Sequence, residues 1–321
     1  MKCASFFAGV GGIELGFENA GFTTIYANEM DDYAVKTYEL NFPLKVDHRR
    51  IQDVAEVEVP ECDVIMGGFP CQAFSVAGYR KGFEDKERGT LFFELLRIIR
   101  AKSPRIVFLE NVKNLVGHDN GNTFRVIKEA LNDAGYEVKF SVLNGMEYGN
   151  VPQNRERIYI VGFRNHEDYR NFEFPDPIPL TAKLRNVIDF KKAVDAKYYY
   201  TPKTCAFYDE LSKGMTRNDT VYQWRRVYVR ENKSDVCPTL TANMGEGGHN
   251  VPLILSDNGI RKLTPHECFN LQGFPKNYKL PKDMAQTHLY KQAGNSVVVP
   301  VIARIAERIM LSIKETDSRQ S

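Results

Sequence analysis

Residues 3–16 have the sequence CASFFAGVGGIELG. An apolar run of strand length leads directly into a glycine-rich turn and then into the start of a helical pattern. Glycines let the backbone approach a ligand closely, and the N-terminus of the following helix offers free N–H groups. The stretch therefore predicts a nucleotide-type binding site. Its glycine spacing is not G-x-G-x-x-G, which argues against a dinucleotide.

Short apolar runs alternate with helix-length patterns in the first part of the chain. The predicted strands are Cys3–Phe7, Thr24–Ala27, Val64–Met66, Ile106–Leu109, Phe140–Leu143 and Ile158–Phe163. Helical patterns between them include Tyr33–Leu40, Phe92–Ala101 and Thr123–Ala134. This alternation is typical of a doubly wound α/β fold, in which helices cover both faces of a mainly parallel sheet.

The pattern changes after Phe163. Residues 186–265 are rich in Tyr, Arg, Thr and Gly and show no clear helical period. We therefore predict one domain over 1–185, completed by 292–321. A second, smaller, β-rich domain is predicted over 186–291. The apolar stripe in 300–313 predicts a final helix that returns to the first domain.

Charge is unevenly distributed although the net charge is only +2. Residues 186–291 contain 16 Lys/Arg and 11 Asp/Glu, whereas the rest of the chain contains 27 and 30. A basic segment within a slightly acidic chain suits a module that faces a polyanion, although a solvated loop region can show the same bias.

The cysteines and the hydropathy limit the class of protein. None of the 6 cysteines forms a CxxC pair, so no metal site is predicted, and their scatter fits a reducing, cytoplasmic compartment. No run approaches the roughly 18 apolar residues that indicate a membrane span, so none is expected.

One cysteine stands where an enzyme would place a nucleophile. Cys71 lies in the run GGFPCQAFS, residues 67–75, directly after the buried-strand pattern Val64–Met66. Ligands of open α/β sheets bind at the C-terminal ends of strands, and Pro70 fixes the backbone just before the sulfur. A free cysteine is more often a small buried hydrophobe. The loop context favours a nucleophile here.

Acidic residues stand at the ends of other predicted strands. Glu29 ends the second strand about 20 residues after the glycine turn begins, where an acid can accept hydrogen bonds from ribose hydroxyls. Asp53 is placed near the third strand, where it could reach an adenine. Glu110 follows the strand Ile106–Leu109 and could protonate or hydrogen-bond a substrate. Each of these residues alone is typical of a surface carboxylate.

Two arginines, Arg155 and Arg157, precede the strand Ile158–Val161. An arginine at this position could hold a carbonyl group and lower the pKa of a nearby thiol. By default such residues form surface salt bridges. The convergence of a cysteine, an acid and an arginine at strand ends of one sheet favours a catalytic site.

Six ordered motifs resemble those of DNA (cytosine-5)-methyltransferases of the bacterial restriction–modification type. They are Phe7–Gly12, Phe69–Gln72, Glu110–Val112, Gln153–Arg157, Arg261–Pro275 and Gln292–Val297. Met30 departs from the family, which often carries an aromatic residue against the adenine. The resemblance implies the S-adenosylmethionine-dependent methyltransferase fold and a monomer acting on duplex DNA. It implies that the domain over 1–185, completed by 292–321, is catalytic and binds the cofactor, and that 186–291 is the target-recognition domain and hinge. It also implies a cognate restriction endonuclease that shares the DNA site without needing to bind this chain.

The resemblance implies a role for each catalytic residue. Cys71 would add to carbon 6 of a flipped cytosine and so activate carbon 5 for the methyl group of S-adenosylmethionine. Glu110 would hold or protonate ring N3, and Arg157, assisted by Arg155, would bind the O2 carbonyl. The implied cofactor-binding residues are Phe7, Ala8, Gly9, Gly11, Gly12, Glu29, Met30, Asp53, Pro70, Leu91 and Asn295.

Three stretches are predicted to contact DNA. Glycines and basic residues in 75–91 are typical of a mobile loop that closes over DNA. Residues 222–230 interleave aromatic and basic side chains, and residues 239–249 form a glycine-rich loop. Arg can read guanine and Gln can read adenine, although an exposed strand with ordinary charges is an equal competitor. The candidates are Gln72, Ser75, Arg80, Lys81, Arg88, Arg225, Arg226, Arg230, Thr239 and Leu240.

Three other functions compete with this prediction. A tRNA cytosine-5 methyltransferase would share the catalytic motifs, but Phe69 precedes Pro70 where RNA-directed relatives usually have a second proline. A non-catalytic DNA-binding relative conflicts with intact Cys71, Glu110 and Arg157. A nicotinamide oxidoreductase is disfavoured by the glycine spacing.

Overall fold

The computed structural model describes residues 1–70, 91–246 and 250–320. Six residues with predicted roles lie outside the described residues: Cys71, Gln72, Ser75, Arg80, Lys81 and Arg88. The chain divides into two compact units. Unit 1 comprises Met1–Leu143, Glu156–Asp176 and Val301–Ser321, and unit 2 comprises Asn144–Arg155 and Pro177–Pro300.

Unit 1 is built on a six-stranded, mainly parallel sheet with the strand order β2-β1-β3-β4-β6-β5. Its strands are β1 (Lys2–Phe6), β2 (Thr23–Asn28), β3 (Val64–Gly67), β4 (Ile106–Val112), β5 (Glu137–Asn144) and β6 (Glu156–Phe163). β1 pairs in parallel with β2 and β3, and β3 with β4, whereas β6 runs antiparallel to β4. Every strand overlaps a predicted apolar run, so the predicted α/β architecture is confirmed.

Helices follow the strands of unit 1 as the alternation predicts. They are Gly12–Asn19, Asp32–Asn41, Leu91–Lys102, Asn122–Asp133, His166–Asn171 and Val299–Gln320, with 3-10 helices Ile51–Asp53, Glu56–Glu58, Lys113–Leu115 and His118–Gly121. A Cβ on Gly16 of the first helix would lie 2.4 Å from Cγ2 of Ile302, so only glycine lets the last helix approach this closely. The end of the chain therefore packs on the first helix.

Unit 2 contains a separate antiparallel sheet with the order β10-β9-β7-β8. Its strands are β7 (Tyr222–Trp224), β8 (Val229–Glu231), β9 (Leu253–Ser256) and β10 (Gly259–Lys262). The helices are Gly145–Tyr148, Leu184–Val187, Tyr208–Gly214, Pro265–Asn270 and Gln286–Asn295, with 3-10 helices Ala196–Tyr198 and Ala242–Gly245. A small apolar core includes Leu211, Tyr222, Leu253 and Ile260. A second, β-rich structure is thus confirmed.

The predicted domain boundaries differ from the two units in three segments. Residues 144–155, 177–185 and 292–300 are assigned to the catalytic domain by sequence, but their contacts place them in unit 2. In the first segment, Gln153 Nε2 donates to the carbonyl oxygen of Leu271 (3.1 Å). The Cys237 N–H donates to the carbonyl oxygen of Pro152 (2.7 Å). Contacts between residues so distant in sequence leave no sign in local composition. The division of function between segments stays a prediction.

Among the described residues, no helix is long and apolar enough to cross a membrane. The same residues contain no group of three or more His, Cys, Asp or Glu side chains arranged to hold a metal ion.

Candidate active site

The ends of four strands lie side by side in unit 1. Phe6 of β1 is paired with Asn28 of β2 and with Gly67 of β3, and Gly67 is paired with Leu109 of β4. Because parallel strands end at the same edge of a sheet, the residues that follow lie along one edge: Phe7, Glu29, Gly68 and Glu110. This is the edge at which open α/β sheets bind their ligands.

The glycine turn, Phe7–Gly12, connects β1 to the first helix. Phe7, Gly9 and Gly11 have positive φ angles of 55°, 56° and 80°, so the backbone coils tightly. A Cβ on Gly11 would lie 2.2 Å from the ring of Phe42, which leaves room only for glycine. The turn thus brings the free N–H groups of the helix start to the sheet edge. The predicted cofactor residues in this segment share that edge: Phe7, Ala8, Gly9, Gly11 and Gly12.

One carboxylate ties the glycine turn to the end of β2. Glu29 Oε2 accepts a hydrogen bond from the N–H of Gly9 (2.8 Å). Its Oε1 accepts from the N–H groups of Met30 and Asp31 (2.8 Å each). A carboxylate has about four acceptor positions, so Oε2 keeps one for a ligand hydroxyl. Glu29 therefore shapes the turn and can also bind a ligand.

Met30 forms the rim beside this carboxylate. It is 57% exposed, and its carbonyl oxygen lies 3.3 Å from His48 Nε2. An exposed, polarizable thioether is suited to cover a planar heterocycle. Asp53, expected near the third strand, lies instead in the 3-10 helix Ile51–Asp53 with an exposed side chain.

An ion pair stands at the end of β4. Arg157 Nε lies 3.2 Å from Glu110 Oε1, and only 13% and 10% of these side chains are exposed. The pair spans β4 and β6, in which Val112 is paired with Arg157. A Cβ on Gly68 would lie 3.4 Å from Glu110 Oε2, so the chain leaving β3 passes beside the carboxylate. The acid and the arginine therefore meet next to the segment that leads to Cys71.

Asn111 holds the chain just before Cys71. It is 4% exposed, and its Nδ2 donates to the carbonyl oxygen of Phe69 (2.8 Å). Pro70 follows with an exposed side chain, and Leu91 begins the next described helix in a half-buried position. No role for Asn111 is predicted from sequence, although its place in the acid motif was a signal that could have indicated one.

Arg155 is buried and forms hydrogen bonds with backbone carbonyl oxygens. It is 2% exposed in unit 2, and its terminal nitrogens donate to three carbonyl oxygens, those of Leu240 (2.7 Å), Gly294 (2.9 Å) and Ser296. A buried guanidinium bonded in this way cross-links distant parts of the chain. These contacts give Arg155 a structural role, and its role of assisting Arg157 stays a prediction.

Other residues with predicted binding roles also lie in unit 2. Thr239 Oγ1 donates to the carbonyl oxygen of Asn154 (2.7 Å). Leu240 is 1% exposed, so its side chain packs inside the unit and offers no surface to DNA in this structure. Asn295 ends its helix with an exposed side chain. The turn and strand after β7 carry Arg225, Arg226 and Arg230. Their roles toward cofactor and DNA stay predictions.

The helix after the glycine turn contains a buried carboxyl group, that of Glu14. The residue is fully buried, and neither carboxylate oxygen has a hydrogen-bond partner among the described residues. Desolvation raises the pKa of Glu14 to about 7; the neighbouring Ser5 hydroxyl offsets part of this rise, and the charges of Glu18 and Glu29 add to it. The neutral carboxyl is therefore favoured in the folded protein.

Comparison with known proteins gives the family. A model described as C-5 cytosine-specific DNA methylase matches residues 1–311. The chain belongs to the C-5 cytosine-specific DNA methylase family. It is 61% identical to the type II methyltransferase M.Bsp6I of Bacillus sp. (strain RFL6), over 98% of this chain and 99% of that one. It is 40% identical to M.HhaI of Haemophilus parahaemolyticus, over 98% of this chain and 95% of that one. The chain is therefore a DNA (cytosine-5)-methyltransferase.

Solved structures share the fold of this methyltransferase at low sequence identity. The methyltransferase EhMeth of Entamoeba histolytica has a TM-score of 0.74 at 17% identity, over 98% of each chain. A DNMT2 mutant from Spodoptera frugiperda has a TM-score of 0.70 at 20% identity, over 96% of this chain and 99% of that one. These likenesses confirm the methyltransferase fold predicted from the sequence.

Replacing Glu14 by Gln should remove a pH-dependent loss of stability. Because burial raises the pKa of Glu14 from 4.5 to about 7, the carboxyl ionises in the unfolded chain before it ionises in the folded one. Its contribution to the free energy of unfolding therefore falls as pH rises from 4.5 to about 7 and stays constant above that. The total loss is about 3 kcal/mol.

Urea unfolding at pH 5 and pH 8 measures this effect. When the pH is raised from 5 to 8, the free energy of unfolding of wild type should fall relative to that of Glu14→Gln. Glu307→Gln, which changes an exposed carboxylate of the last helix, is the control and should behave as wild type. An equal pH dependence in all three proteins would show that Glu14 is not held neutral.

Proposed function

We propose that this enzyme transfers the methyl group of S-adenosylmethionine to carbon 5 of a cytosine flipped out of duplex DNA, through a covalent bond to Cys71. The observation that carries the proposal is the ion pair of Glu110 and Arg157, 3.2 Å apart, on the same sheet edge as the glycine turn. A carboxyl and a guanidinium together match a ring nitrogen beside a carbonyl. Cytosine presents that combination at N3 and O2.

The glycine turn and Glu29 suit an adenosine-containing cofactor. Glu29 Oε2 keeps an acceptor position for a ribose hydroxyl, and Met30 offers an exposed apolar wall for an adenine. S-adenosylmethionine supplies a methyl group on a sulfonium, which is a strong electrophile. The residues we propose to hold it are Phe7, Ala8, Gly9, Gly11, Gly12, Glu29 and Met30, with Asp53, Pro70, Leu91 and Asn295 as further candidates.

The chemistry divides among three side chains. Carbon 5 of cytosine is a poor nucleophile until Cys71 Sγ adds to carbon 6 and makes the ring electron-rich. Glu110 holds a proton at N3 and Arg157 donates to O2, so both stabilise the charge that builds on the ring. After methylation, loss of the carbon-5 proton expels the Cys71 thiolate and restores the ring double bond. A base stacked in a duplex is out of reach, so the cytosine is flipped out.

The other cysteines support Cys71 as the nucleophile. The five described cysteines are free thiols, and burial raises the pKa of each: Cys3, Cys62, Cys205, Cys237 and Cys268. Even for the half-buried Cys62 the pKa is raised to about 11. A thiol that resists ionisation is a poor nucleophile, because the thiolate is the reactive form.

The relatives indicate a biological setting. M.Bsp6I and M.HhaI are named type II methyltransferases, so we infer that this enzyme also protects DNA from a cognate restriction endonuclease. The competing tRNA methyltransferase is disfavoured because the matching family model describes DNA methylases. Methyl transfer to duplex DNA and to tRNA, measured side by side, distinguishes the two substrates.

Replacing Glu29 by Ala should weaken S-adenosylmethionine binding by about 1–3 kcal/mol, which is the usual effect of leaving buried polar partners unpaired. The variant loses both the ribose acceptor and the hydrogen bond that fixes the Gly9 N–H. Titration calorimetry measures the affinity. Glu18→Ala, on an exposed face of the first helix, is the control. Wild-type affinity in Glu29→Ala would remove this residue from the cofactor site.

Replacing Cys71 by Ser should abolish both methyl transfer and covalent trapping on DNA. Bisulfite sequencing of host DNA first locates the methylated cytosine, and 5-fluorocytosine is then placed there in a duplex oligonucleotide. Wild type and the control Cys62→Ser should form an adduct visible by intact-mass spectrometry, because fluorine cannot leave as a proton. Cys71→Ser should bind the duplex without forming one. An adduct in Cys71→Ser would disprove the mechanism.

A further inference from the structure

The hairpin formed by β7 and β8 ends in a strained turn, which we call the tip (residues 225–228). The Val227 N–H donates to the carbonyl oxygen of Arg225 (2.8 Å), and the Arg225 N–H donates to that of Tyr228 (2.9 Å). Arg226 lies between them with a φ of 65°. A three-residue turn with positive φ at its centre is rare and strained. Strain of this kind clusters at ligand-contacting sites.

The tip exposes two adjacent apolar side chains. Val227 is 82% exposed and Tyr228 is 56% exposed. Exposure of adjacent apolar side chains to water is unfavourable. Apolar patches with a polar rim mark surfaces that contact a partner.

The base of the hairpin is firmly anchored in unit 2. Tyr222 is fully buried, and its hydroxyl accepts from the N–H of Arg217 (2.8 Å) and donates to its carbonyl oxygen (3.1 Å). The Trp224 ring stacks on Phe207, with centroids 4.3 Å apart and planes 3° from parallel. The tip therefore projects from a fixed support.

Positive charge remains uncompensated near the tip. Arg217, at the base, pairs with Asp219, Glu231 and Asp235 at 2.9, 3.2 and 3.3 Å. In the described part of the chain, no carboxylate forms an ion pair with the arginines nearer the tip, which are Arg225, Arg226 and Arg230. This charge complements a polyanion.

One face of the hairpin carries side chains that can read bases. Gln223 is paired directly with Arg230 across the two strands. Arg225 lies two residues beyond Gln223, on the same side as alternate strand residues do, and its Nη2 donates to Gln223 Oε1 (2.8 Å). The buried Tyr222 lies on the opposite face. The hydrogen bond limits the freedom of both side chains before any ligand binds.

We propose that Val227 and Tyr228, at the tip of this hairpin, are specificity-determining residues that contact base edges in the major groove of the substrate DNA. The proposal rests on the proposed function and names two residues that select its DNA site. A two-stranded ribbon fits the major groove, where apolar side chains recognise the methyl group of thymine and arginine and glutamine recognise purines. Arg226 and Arg230 hold the flanking phosphates.

The test compares Val227→Ser and Tyr228→Ser with wild type. The control is Val57→Ser, which changes an 87% exposed valine of unit 1. The substrates are a duplex oligonucleotide with the methylated site found by bisulfite sequencing and a set in which each base pair of that site is changed singly. We expect kcat/KM on the true site to fall about 5- to 150-fold, mainly through KM, and discrimination at one base pair to relax.

Separate measurements keep the outcomes distinct. S-adenosylmethionine affinity, measured by calorimetry, should be unchanged in both variants and so report an intact unit 1. Wild-type discrimination in both variants, or an equal loss on every duplex, would overturn the proposal. A change in oligomeric mass without a change on DNA would also overturn it, in favour of a second copy as the partner. If wild type itself fails to methylate cytosine in DNA, the proposed function fails first.

Discussion

The parallel pairing of β1 with β2 and β3, and of β3 with β4, is the constraint on which the whole site depends. It aligns Asn28, Phe6, Gly67 and Leu109 in one row, so that the next residues meet at one edge although they come from distant parts of the chain. A slip of one residue in any pair would turn these side chains to the opposite face. Packing enforces the register, because Phe6 and Leu109 are fully buried in the same apolar core.

Polar side chains at this edge form hydrogen bonds with backbone groups. Glu29 accepts three N–H groups, and Asn111 holds the carbonyl of Phe69 just before Cys71. Groups fixed before a ligand arrives lose little freedom on binding, so this arrangement favours a preformed site. Glu14 shows the opposite situation, since its buried carboxyl has no partner among the described residues and stability is lost as it ionises.

The architecture could be predicted because buried strands appear in sequence as short apolar runs, and all six strands of the sheet overlap such runs. The different environments of Arg155 and Arg157 could not be predicted from the sequence, because the two residues stand two positions apart in one motif. β6 begins at Glu156, so Arg157 lies within the strand beside Glu110, whereas Arg155 binds carbonyl oxygens far along the chain. The burial of Leu240 depends on the same long-range contacts, which local patterns do not encode.

We propose that one sheet edge holds the cytosine between Cys71, Glu110 and Arg157. The most direct measurement is a crystal structure of the enzyme trapped on a duplex that carries 5-fluorocytosine at the target, with the demethylated cofactor retained. This arrangement predicts a covalent bond from Cys71 Sγ to carbon 6, Glu110 within hydrogen-bond distance of N3, Arg157 on O2 and Glu29 on the ribose of the cofactor. A cytosine still stacked in the duplex, or one bound away from Glu110 and Arg157, would contradict it.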